Sequence, residues 1–101
     1  MFIGKVKGNV VTTQKVETLT GKKLLIVEPM RVMEDTGTMV PSGKCLVAVD
    51  SVGAGESDIV LCTQGSSARM TCTTSDAPVD CVITGIIDSV TAQNKSVYKK
   101  D

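Results

Sequence analysis

Four groups of residues in this chain of 101 have types and spacings that could carry chemistry. Gly53-Ala54-Gly55 sets two glycines around an alanine, a place where backbone can approach a phosphate, a substrate or another chain closely. Gly65-Ser66-Ser67-Ala68-Arg69 places a serine behind a glycine, as a nucleophile elbow does. Cys45, Cys62, Cys72 and Cys81 are thiols, and adjacent acids such as Glu34-Asp35 are carboxylates. None of these completes a site. The chain has no histidine, so a Ser-His-Asp or Cys-His pair cannot form, and a zinc site would lack its usual partners. Arg69 stands where the elbow requires its last glycine. The dinucleotide fingerprint G-x-G-x-x-G would need glycine at Asp58 and a helix after the loop, and Gly21-Lys22-Lys23 is a turn rather than a phosphate loop. Neighbouring acids point apart on regular structure. The expectation is a chain with no catalytic residues, no cofactor and no metal.

The elements that hold these residues read as strands. Residues 2–11 alternate, with Phe2, Gly4, Val6, Gly8 and Val10 on one face, and the two glycines suggest sharp coiling or close backbone approach. Residues 23–28 (K-L-L-I-V-E) form a short apolar run that Pro29 should close. Residues 30–40 read as a loop with at most a short irregular strand. Residues 44–52 and 58–63 are the third and fourth strands, flanking the Gly53–Ser57 loop. Residues 65–70 suit one short helix. Residues 79–90 make the longest β-like segment, residues 91–94 a turn, and residues 96–98 a last short strand. Five or six strands with at most one short helix predict an all-β small barrel, with a sandwich second.

Composition narrows the partners. There are 11 basic and 11 acidic side chains, and Phe2 and Tyr98 are the only aromatics. A zero net charge and so few aromatics argue against a nucleic-acid groove, which needs a basic surface and stacking platforms. Lys95, Lys99 and Lys100 form the only basic cluster and read as a solvated tail. No stretch is apolar and long enough to span a bilayer, and residues 1–5 are not a signal peptide, so a cytoplasmic protein with reduced, buried cysteines is expected. Several strands are apolar on both faces with almost no helix to cover the second. A further copy of the same chain is the expected cover.

The stretch V-D-S-V-G-A-G-E-S-D-I-V-L at residues 49–61, followed by G-S-S-A-R, closely resembles the EutN/CcmL family of bacterial microcompartment vertex proteins. The likeness extends to residues 4–11, 19–29, 78–80 and 85–88, in order. It implies one OB-like five- to six-stranded β-barrel domain over residues 1–101 with one short helix. It also implies assembly into a homopentamer at the corners of a shell whose facets are hexagonal proteins, with no nucleic acid or membrane involved. The other reading is a free-standing OB-like module for a small ligand or single-stranded nucleic acid. On the ring reading, Gly53, Ala54, Gly55, Gly65, Ser66, Ser67 and Ala68 are expected at the subunit interface. Arg69 would pair there with Asp80, Asp88 or Asp50, and the tail, residues 91–101, could add a strand to a neighbour. The family usually carries glycine where this chain has Ser57. If that glycine serves a positive φ, Ser57 must hold strain or the loop must bend differently.

Overall fold

The computed structural model describes residues 1–12, 22–33, 36–65, 81–92 and 94–100. They form eight strands: β1 (Phe2–Val10), β2 (Lys23–Met33), β3 (Thr38–Pro41), β4 (Leu46–Asp50), β5 (Ile59–Gln64), β6 (Cys81–Ile86), β7 (Ser89–Ala92) and β8 (Lys95–Lys99). No α-helix occurs among the described residues. The short helix expected over residues 65–70 falls mostly on residues 66–70, which lie outside the described residues.

Five strands close on themselves. β1 pairs antiparallel with both β2 and β5, β5 with β6, and β2 with β4. The circuit closes where β4 and β6 run parallel, Val49 beside Val82 and Asp50 beside Ile83. This is the order of an OB-like barrel, in which closure removes the sheet's edges. The interior is aliphatic, with Val6, Leu25, Val27, Ala48, Val60, Cys62, Cys81 and Ile83 at its centre and Phe2, Leu46 and Ile86 packed against them. Gly4 belongs to the tightest part. A Cβ there would collide with the Val27 side chain, so its glycine serves close approach inside the barrel.

Four expectations are corrected. The alternation along β1 does not run unbroken. A register shift between Val6 and Gly8 marks a bulge, after which Asn9 lies opposite Leu25 and Val10 opposite Leu24. Val10 therefore shares a face with Leu24, not with buried Val6, because an extra residue in a strand exchanges its faces. Pro29 does not end the second strand. β2 continues to Met33, and Pro29 sits between the last β4 pair, Val27–Leu46, and the first β3 pair, Met30–Pro41. The missing N–H thus falls where β2 changes partners. The long segment at residues 79–90 is broken: β6 stops at Ile86, and β7 starts at Ser89 in a separate hairpin with β8. Residues 91–92, expected in a turn, belong to β7. Lys95–Lys99, the bulk of the expected tail, pairs with β7 of its own chain.

Outward apolar residues divide into two groups. Val49, Ile59 and Val82 are buried within the single chain although they stand outside the central cluster. Val47 is 52% exposed and Val52 40% exposed.

Candidate assembly surface

The loop at residues 50–58 joins β4 to β5, and hydrogen bonds within it and to its own subunit fix its course. Asp50 ends β4 with its side chain only 2% exposed. Its Oδ1 accepts the N–H groups of Val52 and Gly53, each at 3.1 Å, so the aspartate folds the chain back over its own carboxylate. Lys23, at the start of β2, reaches the same place: its Nζ donates to the Ala54 carbonyl at 2.8 Å and lies 3.8 Å from Asp50 Oδ2. Ser51 Oγ donates to the Ile83 carbonyl at 2.6 Å, anchoring the loop to β6.

The second half of the loop is a tight turn. The Asp58 N–H donates to the Gly55 carbonyl at 3.1 Å, and Asp58 Oδ2 accepts the Gly55 N–H at 2.8 Å. Ser57 stands third in this turn with φ of 75°, the value a type II turn demands there and the reason glycine is usual. The strained alternative is thus the one adopted. The strain is held by the barrel: the Ser57 N–H donates to the Val6 carbonyl and the Val6 N–H to the Asp58 carbonyl, both at 2.9 Å. These two bonds carry the β1–β5 ladder one step beyond its last strand pair, Lys5–Ile59.

Ala54 is fully buried and belongs to the central cluster. Its smallness fits the inside of its own subunit. Gly53 is exposed, with φ of 82° and open space where a side chain would stand. Gly55 is half-buried beside Asp58. Gly65, at the end of β5, is exposed with φ of 67° and open surroundings. Ser66, Ser67, Ala68, Arg69 and Asp80 lie outside the described residues. Of the carboxylates considered for Arg69, Asp50 is taken up by Lys23 and the loop amides, and Asp88 is exposed.

Around this loop, Gly8, Asn9, Lys23, Leu25, Gly55 and Glu56 line an open pocket of about 200 Å³. Elsewhere, Cys62 and Cys81 are buried on adjacent strands, and Cys45 is exposed. A hydrogen bond with Cys81, followed by burial, holds the Cys62 thiol far above the ordinary cysteine range. It is a packed thiol rather than a reactive one.

Sequence reasoning missed Lys23 as the loop's latch. Lys23 reads as the polar start of an apolar run, and its partners stand 27 and 31 positions away. It also missed the β7–β8 arm. Lys100 ties the base of that arm to the loop, its Nζ 4.0 Å from Asp58 Oδ1, while its N–H donates to the Asp88 carbonyl at 2.7 Å.

Comparison with known proteins agrees with this architecture. The family model described as "Ethanolamine utilisation protein EutN/carboxysome" matches residues 1–88. The microcompartment shell vertex protein GrpN of Rhodospirillum rubrum is 42% identical over 94 residues, covering 93% of this chain and all of that protein. The solved structure of CcmL from Gloeobacter violaceus superposes with a TM-score of 0.87 at 39% identity, over 99% of this chain and 98% of that one. The solved structure of GrpN, described as pentameric, gives a TM-score of 0.75 at 41% identity over 91% of this chain and all of that one. A closed aliphatic barrel, a Gly-Ala-Gly loop tied into it and likeness over almost the whole length lead to one assignment: the chain belongs to the EutN/CcmL family.

Proposed function

We propose that this chain is a structural subunit of a bacterial microcompartment shell in the cytoplasm, five copies closing into a ring that caps each vertex. The observation that carries the reading is the match, along nearly the whole chain, to GrpN, a shell vertex protein with a structure described as pentameric. A closed ring of identical subunits needs a heterologous contact, in which two different patches of the same surface meet. Gly53, in the loop before β5, and Gly65, just after β5, are exposed with open space where a side chain would stand, which supports close approach of a neighbour at each; Ser66-Ser67-Ala68 and Arg69 would then meet a neighbour's carboxylate such as Asp80. We assign the chain no catalytic role, cofactor or metal, and hexagonal shell proteins of the flat facets as its further partners.

Native mass spectrometry of the purified chain tests the ring directly. A mass of five subunits that ignores added oligonucleotide is the expected result; a monomer that binds the oligonucleotide overturns the reading. Arg69→Ala is expected to shift the ring toward free subunits. Ala54→Leu is not an interface test, because the larger side chain would enter the subunit's own core.

A further inference from the structure

The β7–β8 hairpin has little cover of its own. A two-stranded sheet alone is marginal in water. This one pairs with no barrel strand, and none of its described residues is fully buried. Val90 and Tyr98 face each other across the hairpin, and Val97 is the extra residue at the bulge between them and the Thr91–Ser96 pair. All three are half-buried. The arm touches its own subunit near both ends. Lys100 meets Asp58 at the base, and toward the tip Lys95 lies over Gly37, where a Cβ would come within 3.1 Å of Lys95 Cδ. The family model stops at residue 88, just where the arm begins.

Charge separates the arm from the barrel. Residues 89–101 hold three lysines and one carboxylate, Asp101, while residues 1–88 hold eight basic and ten acidic side chains. A neutral chain is therefore divided into a basic arm and an acidic body. That is the complementarity a head-to-tail contact between identical copies uses, since the arm of one finds a body of opposite sign on the next. Lys95 and Lys99 are exposed and have no ion pair among the described residues, and the same holds for Glu56 on the 50–58 loop.

We infer that the β7–β8 arm is a strap that grips the next copy in the ring, laying Val90, Val97 and Tyr98 against it and setting Lys95 and Lys99 on its 50–58 loop at Glu56. The inference rests on the ring reading and names the surfaces that close it. The apolar contact holds the strap down; the lysines set its register and reject like-charged alternatives.

The test is the double charge reversal Lys95→Glu/Lys99→Glu, alone and combined with Glu56→Lys, followed by native mass spectrometry and sedimentation at low and high salt. Lys100 is left intact so that its pair with Asp58 survives. The double variant is expected to keep the wild-type circular dichroism and to assemble roughly tenfold or more weakly at low salt, because like charges then face each other. Adding Glu56→Lys should restore the ring. A double variant that assembles like wild type overturns the strap, as does a ring lost and not regained with Glu56→Lys. A wild-type chain that never forms a ring fails at the earlier step and refutes the ring reading itself.

Discussion

Two regions beside each other solve the problem of an exposed segment in opposite ways. The 50–58 loop looks open in sequence, yet Asp50, Lys23, Ser51, Asp58 and the main chain of Val6 bind it to the barrel, and Ala54 is sealed inside. The β7–β8 arm has regular strands, yet it buries no residue fully. Regular secondary structure is thus no measure of how firmly a segment is held. The loop draws its stability from within one subunit, and the arm has surface left for another.

Urea unfolding at two protein concentrations separates these cases, because only association makes the midpoint depend on concentration. The largest effect is expected from Ala54→Leu, which forces a larger side chain into the filled core and should cost about 3 kcal/mol at both concentrations. Asp50→Ala comes next, at about 2 kcal/mol, since the Val52 and Gly53 amides lose their acceptor; the exposed Lys23 adds little of its own. Ser57→Gly should move the midpoint the other way by about 1 kcal/mol, relieving a positive φ that glycine accepts freely. Tyr98→Ala should shift the concentration-independent part least, by about 0.5 kcal/mol or less, and act on the concentration-dependent part. An equal shift from Tyr98→Ala at both concentrations would erase the contrast between the two regions.

A pH series sharpens the same contrast from inside the barrel. The Cys62 thiol is raised in the folded state, first by its bond with Cys81 and then by burial, so folded chains keep a proton that unfolded chains release. Its contribution is complete below the ordinary thiol value, about 8.5, and is lost as pH rises above it. The melting temperature of the wild type should therefore fall above about pH 8.5 more steeply than that of Cys62→Ala.

Much of this arrangement was legible before any coordinates. The aliphatic runs at Leu24–Val27, Leu46–Val49 and Ile59–Cys62 announce strands because their lengths and β-branched residues leave little choice. The family resemblance followed from residues 49–69, and it marked Ser57 as a position where that family usually carries glycine. What escaped detection depends on closure. The bulge near Lys7, the change of partner at Pro29 and the latch from Lys23 to Asp50 each arise from strands that meet only when the barrel forms. Pattern along one strand carries no record of which strand will lie beside it. The break after Ile86 was hidden for a related reason: Val90 continues the apolar alternation of β6 while belonging to a different sheet.

The parallel seam between β4 and β6 has a consequence in time. It joins Val49 to Val82 and Asp50 to Ile83, and it is the parallel pairing in a circuit whose other pairings are antiparallel. Contacts so distant along the chain are slow to form, since the entropy of the intervening loop is lost before any contact rewards it. During synthesis the seam cannot form until β6 has left the ribosome, and the residues of the arm are the next to emerge. Closure of the barrel and emergence of the arm are therefore nearly simultaneous, so that a copy with its arm exposed is one whose own barrel can already shut.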